Sequence, residues 1–409
     1  MVRRLASTAH RLAGLAMAGF LVVTGLTGAV ISWEHEVDEW LNPHLFRPAA
    51  PGPLLGPFEL ARRVEQADGR VAVFSLPLGY DGEHAVDLFV EPRRDARTGS
   101  RFAVDYNQVF IDPASGEIVG RRMAGKPALD REHLMAFLYR LHYSLHVPPF
   151  WGTDKWGVWL LGGIGLLWML DCFTGLVLTL PARGGARIKA GRPARSGWSR
   201  WKVSWQIKRG AGSYRRVLDL HRAFSLWLWG LLLVVAATSW TLNLSTELFR
   251  PMLGAVSSLT PDPFAHRQPV PAAQRRPPRL SFEQAAGLAE REARALGWDL
   301  PAGSIFHAGA YRLYCVEFHA EGDEHGPGLG PRRMCLDGDT GEILERRVPG
   351  EGTLADKIVH LQFPLHSGRL LGTPGRILVS LTGVAVAMLS ITGVILWWRK
   401  RRARARAAR

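Results

Sequence analysis

The sequence has little sulfur and none of the common motifs for soluble cofactors. Only three cysteines occur among 409 residues and no two are spaced as CxxC, so a thiolate metal centre is not expected. The chain also has no glycine-rich nucleotide fingerprint after a strand, no P-loop and no HExxH zinc motif. The sequence therefore indicates no flavin or nicotinamide domain within this chain.

The three cysteines fall in two different settings. Cys172 lies inside a long apolar run, whereas Cys315 and Cys335 lie on neighbouring predicted strands that form a hairpin. In an oxidising compartment the latter two can form a disulfide. Two buried thiols satisfy the pattern equally well, so the sequence leaves both alternatives open.

Acidic residues are missing from two strongly basic stretches. Residues 182–216 hold eleven Lys and Arg without an acid, and residues 399–409 hold seven without an acid. A net charge of +15 is compatible with nucleic-acid binding, but these basic stretches adjoin long apolar runs. The positive-inside rule instead places both termini and the middle linker in the cytoplasm. No nucleic acid is expected as a partner.

Four apolar runs are long enough to cross a bilayer. They cover residues 12–32, 156–180, 223–246 and 377–398, and Asp171 is their only charged residue. About 20 residues at 1.5 Å each span a hydrocarbon core of about 30 Å. The first run is longer than a signal-peptide core and no A-x-A site closes it, so an uncleaved helix is expected. The sequence thus predicts a multi-pass protein of a bacterial inner (cytoplasmic) membrane, with residues 33–155 and 247–376 in the periplasm.

The two halves of the chain repeat each other in the same order. Each half has a His-Arg pair, a span, an outer block with an acidic Gly turn, a histidine segment and a span with Thr-Gly. The matching pieces are His10-Arg11 with His221-Arg222, residues 112–118 with 337–343, 141–146 with 361–366, and 173–176 with 391–394. The predicted fold class is a membrane α-helical bundle of four transmembrane helices, built by internal duplication, with two periplasmic α+β domains.

The resulting domain organisation has ten segments. These are a first span (1–32), a first outer domain (33–130), an interfacial histidine-bearing helix (131–155), a second span (156–181), a basic linker (182–218), a third span (219–246), a second outer domain (247–356), an outer histidine segment (357–375), a fourth span (376–398) and a basic tail (399–409).

Each outer domain is predicted to contain one helix and four strands. The helices are expected over residues 57–66 and 285–296, the second one behind the Ser281 capping box. Strands are expected near 71–78, 84–91, 101–111 and 117–122, and near 303–309, 311–320, 331–336 and 342–347. Apolar spacing also predicts a helix over 131–146 that the Pro148-Pro149 pair ends.

Histidines at the span ends are the candidate cofactor ligands. His10 and His221 lie at the cytoplasmic ends of equivalent spans, and His142, His146 and His366 lie at the outer ends. Neutral imidazole is a good ligand for haem iron, and helix bundles commonly hold cofactors between facing side chains. We expect His10 and His221 to bind one haem b, and His366 to bind a second with a histidine from the first half. The alternative is that His10 and His221 are interfacial anchors beside arginine.

The repeat does not decide which histidine pairs with His366. His146 aligns with it through the Leu-His dipeptide, and His142 does so if an insertion is placed at 146–155. Asp171, in the middle of the second span, is a candidate to hydrogen-bond a ligating histidine or to carry a proton. Its alternative is a satisfied polar group at a helix contact.

The combination of motifs resembles one known family over nearly the whole chain. The matching pieces are residues 10–14 (HRLAG), 26–28 (LTG), 138–145 (LYRLHYSL), 171–175 (DCFTG), 178–181 (LTLP), 219–223 (DLHRA), 364–369 (PLHSGR), 374–376 (PGR) and 392–393 (TG). They resemble the PepSY-associated transmembrane family of iron-regulated membrane proteins. Within it the chain looks most like the di-haem ferric-siderophore reductases of the inner membrane.

That resemblance implies a site and a function. It favours His142 over His146 as the outer ligand, with His10, His221 and His366 as the others, and it implies that the outer domains are PepSY domains. Electrons from an unidentified cytoplasmic donor or quinol would cross by two haems b and reduce a ferric siderophore, which releases Fe(II). The competing interpretations are a different acceptor, a transporter subunit, and a regulatory or interaction role of the PepSY domains without redox activity.

Overall fold

The computed structural model describes residues 1–46, 52–181, 196–271, 274–320 and 327–408. The first half contains α1 (Val2–Ile31), α2 (Glu34–Leu41), α3 (Pro43–Phe46), α4 (Pro57–Ala67), β1 (Val71–Pro77), β2 (Val86–Pro92), β3 (Gln108–Ile111), β4 (Ile118–Arg122), α5 (Leu134–Ser144) and α6 (Trp156–Thr179). The second half contains α7 (Gly197–Trp201), α8 (Ser213–Trp227), α9 (Trp229–Asn243), α10 (Arg250–Gly254), α11 (Pro263–His266), α12 (Phe282–Ala295), β5 (Ala302–Ala308), β6 (Leu313–Phe318), β7 (Arg332–Asp337), β8 (Ile343–Arg347), α13 (Leu354–Ser367) and α14 (Thr373–Ala407).

Within the described ranges, three single helices are long and apolar enough to cross a membrane. These are α1, α6 and α14. The predicted third span is different, because α8 and α9 meet at an angle of 72° and together make a fourth span only if the bent pair counts as one. The tryptophans beside the bend bind different elements: Trp227 donates to the Trp205 carbonyl and Trp229 to the Cys172 carbonyl on α6. Gly230 directly follows Trp229 and lowers helix propensity at this point, but one glycine in an apolar run does not by itself predict a break.

Small residues bring the long helices close together. A Cβ atom on Gly25 of α1 would lie 2.6 Å from the Gly383 carbonyl oxygen of α14, so only glycine permits this approach. In the same way, Gly165 of α6 packs on Ser239 and Trp240 of α9. The helix α14 also continues to Ala407, through most of the segment predicted to be a separate basic tail, because Arg and Ala are good helix formers.

The eight strands form one continuous antiparallel sheet. Its order is β4-β3-β2-β1-β5-β6-β7-β8, and Ser75, Leu76 and Pro77 of β1 pair with β5. The sequence predicts two small α+β units, and the structure joins them edge to edge, which leaves neither inner edge unpaired. Helices α4 and α12 contribute Leu60 and Ala289 to the common apolar core.

The sheet contains a disulfide between two neighbouring strands. Cys315 and Cys335 are direct partners across β6 and β7 and form a disulfide. This answers the alternative that the sequence leaves open. Of the predicted linker at 182–218, residues 182–195 lie outside the described residues, and the remainder contains α7 and the beginning of α8.

Candidate functional site

The first histidine pair consists of His10 and His221, on α1 and α8. Their ring centres are 6.2 Å apart and the ring planes make an angle of 63°. The pair lies at the end of the bundle that carries both chain termini, since the cavity around it also contacts Lys400 and Arg404. The structure thus brings together the two histidines that the repeat makes equivalent.

A hydrogen bond at Nδ1 fixes each ring of the first pair. The Nδ1 atom of His10 is 2.8 Å and 3.0 Å from the two carboxylate oxygens of Asp171 on α6. The Nδ1 atom of His221 is 3.1 Å from the Leu389 carbonyl oxygen and 3.0 Å from the Thr392 hydroxyl on α14. Both rings therefore use the nitrogen nearest the backbone to bind a neighbouring helix.

The second histidine pair consists of His142 on α5 and His366 on α13. Their ring centres are 6.0 Å apart and the ring planes make an angle of 53°. The Nδ1 atom of His142 is 3.1 Å from the Thr27 hydroxyl, and that of His366 is 3.0 Å from the Thr238 hydroxyl. The two pairs therefore have the same construction, with Nδ1 held and the rings about the same distance apart.

The threonine contacts also identify which nitrogen carries the proton. The hydroxyls of Thr27, Thr238 and Thr392 each lie 2.8 Å from the carbonyl oxygen four residues earlier. A hydroxyl has one hydrogen, so a threonine that donates to its own helix must accept from the imidazole. Asp171, as a carboxylate, likewise accepts from His10.

All four imidazoles therefore have N–H at Nδ1 and a lone pair at Nε2. Within the described part of the chain, each of these four rings makes a hydrogen bond through Nδ1. A metal-binding histidine typically donates its other ring N–H to a carboxylate, carbonyl or similar acceptor, which sets the tautomer and the ring orientation. The four rings are thus in the form that binds a metal through Nε2.

Glycines lie directly against three of the rings. A Cβ on Gly175 would lie 3.4 Å from Cε1 of His10, and one on Gly393 would lie 3.4 Å from Cε1 of His221. At Gly28 the distance to Cε1 of His142 would be only 2.8 Å. The Thr-Gly motifs of the repeat therefore have a role beside the histidines as well as in helix packing.

The other predicted ligand lies elsewhere. His146 follows the end of α5, where it and Leu145 have φ values of 52° and 55°, so it does not share a helix face with His142 as predicted. The helix ends at Ser144, and Leu145 caps it in left-handed geometry. His146 stacks on Phe137, and its Nε2 is 2.9 Å from the Phe137 carbonyl. The structure does not bring it to His366.

A cavity of about 530 Å³ surrounds the first pair. Its apolar wall includes Trp168, Trp229 and Leu232, and cationic side chains cluster at the terminal end. Asp171 is the only carboxylate among the described lining residues. The cationic lining residues are Arg11, Arg222, Lys400, Arg401 and Arg404.

A carboxyl group on α2, outside the spans, is buried beside α5. Burial, aided by the nearby Asp38 carboxylate, raises the pKa of Glu34 to about 7, against the opposing effects of Arg369 and Arg122. Glu34 also interacts with Tyr139 on α5, where burial raises the pKa of the phenol. This carboxyl therefore changes its protonation near neutral pH.

Sequence reasoning singled out the histidines as candidate ligands but did not predict the threonine acceptors beside them. One signal could have found two of them: Thr27 follows His10 by 17 residues, and Thr238 follows His221 by the same 17 residues. A repeated interval between a candidate ligand and a hydroxyl indicates a common role.

Comparison with known families gives a match over almost the full length. The description that matches, PepSY-associated TM region, covers residues 7–400. No curated protein matches the chain. The match and the candidate spans show a membrane-associated protein, and the chain belongs to the PepSY-associated TM family.

Proposed function

We propose that the protein is an inner-membrane di-haem b oxidoreductase that moves electrons from the cytoplasmic side to the periplasm, where a ferric siderophore is reduced and Fe(II) released. The observation that carries the proposal is the construction of the two histidine pairs. In each pair two imidazoles with protonated Nδ1 and a free Nε2 come from different helices.

The spacing of the rings fits one metal between each pair. An imidazole nitrogen binds a metal at about 2 Å and lies about 1 Å from its ring centre, so two rings on opposite sides of a metal have centres about 6 Å apart. The observed distances are 6.2 Å and 6.0 Å. Two imidazoles alone would leave a transition metal under-coordinated, and a haem held by these histidines would bring the further ligands.

The surroundings of the first pair also fit a haem. A cavity of about 530 Å³ lies within the roughly 300–1,000 Å³ range of cofactor sites. Its tryptophan and leucine side chains suit the apolar macrocycle, and Arg11, Arg222 and Lys400 suit the carboxylates of its edge. Gly175 and Gly393 leave room beside the ligating rings.

The separation of the two pairs supports positions near opposite faces of a bilayer. Thr27, which binds His142, is 17 residues from His10 on α1, so the pairs are about 25 Å apart along this helix. Between them lies a packed apolar cluster that includes Met17, Leu21 and Val386. Such packing suits the passage of electrons better than that of a solute. Bound haem supplies one-electron transfer, and the chain positions it and excludes water.

The acceptor is proposed from the family resemblance and from iron chemistry. Each Fe(III) takes one electron, so a two-electron donor such as a quinol reduces two ferric complexes and releases two protons. Hard oxygen chelators bind Fe(II) more weakly than Fe(III), and reduction therefore releases the metal. Along the chain, half of the eight-stranded sheet comes between α1 and α5, and the other half comes between α9 and α13. Because α5 and α13 carry the second histidine pair, the sheet belongs on the side of that pair.

Reconstituted liposomes test this function. They contain a ferric hydroxamate and the impermeant Fe(II) indicator ferrozine, and dithionite is added outside. We expect ferrous indicator to form inside liposomes with the wild-type protein and to fall to the level of empty liposomes with His221→Ala. Ser239→Ala is the control, because its hydroxyl bonds only to its own helix, at the Val235 carbonyl. Equal rates in His221→Ala and wild type would contradict the proposal.

A further inference from the structure

The two halves differ at one position beside the histidines. Asp171 and Leu389 each lie three residues before the threonine of the Thr-Gly motif, at Thr174 and Thr392. His10 therefore binds a carboxylate, whereas His221 binds the main-chain oxygen of the equivalent leucine and a hydroxyl. His142 and His366 of the second pair bind hydroxyls. One of the four imidazoles thus donates to a charged acceptor.

The Asp171 carboxylate is held in place on both sides. It is 6% exposed, both oxygens lie within 3.0 Å of Nδ1 of His10, and the Thr174 hydroxyl lies 2.5 Å from Oδ1. No other acid lines the described part of the cavity, whose cationic lining residues are Arg11, Arg222, Lys400, Arg401 and Arg404. A negative charge at this position acts on His10 through a direct hydrogen bond in a medium of low dielectric constant.

A carboxylate partner changes the properties of a ligating imidazole. It raises the basicity of the ring and adds negative charge beside the metal, and both effects stabilise the ferric state over the ferrous state. Second-shell hydrogen bonding of this kind is one of the means by which a protein sets the potential of haem iron. Neutral hydroxyl and carbonyl acceptors have a weaker effect because they bear no net charge.

We propose that Asp171 is a positioning residue that makes the iron held by His10 and His221 the lower-potential of the two. This inference rests on the proposed function. The transfer is a single electron from ferrous iron at the first pair to ferric iron at the second, and no bond forms or breaks. The asymmetry makes that step downhill toward the side of the sheet, so it gives the duplicated bundle a preferred direction of electron flow.

Redox titration of two variants with opposite expected shifts tests the inference. Asp171→Asn keeps an oxygen acceptor and removes the charge. In this variant we expect the preference of the first-pair iron for the ferric over the ferrous state to fall about tenfold. That change raises the reduction potential of this iron by about 59 mV for a one-electron couple. Thr174→Val removes the hydroxyl that shares the Asp171 charge, so the potential should fall. Thr392→Val is the matched control on the other half, with a smaller shift because a neutral partner is lost and the Leu389 carbonyl remains.

The titrations follow the visible absorption of haem in the purified protein. Each variant is also made together with His366→Ala, so that the first pair is the only complete site and its potential is measured alone. The inference predicts two potentials in the wild-type protein. It also predicts that the first-pair potential is higher in Asp171→Asn and lower in Thr174→Val. If Asp171→Asn loses haem, the downward shift in Thr174→Val carries the test. Unchanged potentials in the variants that keep their haem, or a lower potential in Asp171→Asn, would overturn the inference. Two haems per chain would still uphold the proposed function in that case. A wild-type protein without haem overturns the proposed function itself.

Discussion

The Thr238 hydroxyl offers a direct test of the tautomer argument. Thr238→Val keeps the shape of the side chain and removes the oxygen that lies 3.0 Å from Nδ1 of His366. The Nδ1–H group would then lose its acceptor in an apolar setting, which costs about 1–3 kcal/mol. Outer-shell partners of metal-binding histidines typically contribute about 10–100-fold in metal affinity. At 1.4 kcal/mol per factor of ten these two figures agree, so haem affinity of the second pair should fall about 10–100-fold.

Haem transfer from the purified protein to apomyoglobin measures this change. We expect two kinetic phases of equal amplitude, of which one is accelerated in Thr238→Val. Ser239→Ala is the matched control on the next residue of α9, because its hydroxyl lies 2.7 Å from the Val235 carbonyl of its own helix. Transfer from this control should match that from the wild type.

A Thr238→Val protein that retains both haems as firmly as the wild type would refute the reasoning. It would mean that His366 does not need a fixed proton at Nδ1, and that its Nε2 is not the ligating atom. Acceleration of both phases by Ser239→Ala would instead indicate general loosening of α9.

Four further predictions follow from single contacts. His221→Ala should lose about half of the haem, measured as pyridine haemochrome, because one of the two pairs is incomplete. Gly28→Ala should lose the other half, since the added Cβ would lie 2.8 Å from Cε1 of His142. Because the pKa of Glu34 rises from 4.5 to about 7 on folding, the folded state binds the extra proton and stability falls as pH rises from 4.5 to 7. Glu34→Gln should therefore gain up to about 3 kcal/mol in unfolding free energy at pH 8 and nothing at pH 4, measured by thermal unfolding in detergent. Serine at both Cys315 and Cys335, which are 20 residues apart, should cost about 3 kcal/mol in unfolding free energy and leave the haem spectrum unchanged.

Particular outcomes would contradict these four. Full haem content in His221→Ala or Gly28→Ala would break the proposed pairing at that site. An equal effect of Glu34→Gln at pH 4 and pH 8 would show that the carboxyl does not titrate in this window. Haem loss in the double serine variant would show that the sheet and the histidine pairs are not independent.

The histidine pairs show how far the sequence could predict the site. His10 and His221 are predictable because the duplication places both beside arginine at equivalent span ends. His142 is not predictable from spacing alone, because His146 lies four residues away and fits the same repeat. The structure separates them through the early end of α5, with left-handed geometry at Leu145 and His146.

The fold shows a similar division. Local patterns predict most strands and helices of the two α+β units, because alternation, the Ser281 capping box and the Asp-Gly turns are short-range signals. The strand predicted near 101–111 is wrong over most of its length, because β3 covers only Gln108–Ile111. The pairing of β1 with β5, which joins the two units into one sheet, and the 72° bend between α8 and α9 depend on contacts between residues far apart in the chain. No local pattern predicts the pairing of β1 with β5, and Gly230 alone does not predict the bend.

The most direct test of the central claim is the visible spectrum of the detergent-purified protein, reduced minus oxidised, with the haem quantified as pyridine haemochrome. We predict about two haems b per chain, both low-spin with two histidine ligands, and about one in His221→Ala. Protein that contains no haem after expression with an ample supply of haem would contradict the account and would favour an interaction role of the PepSY domains.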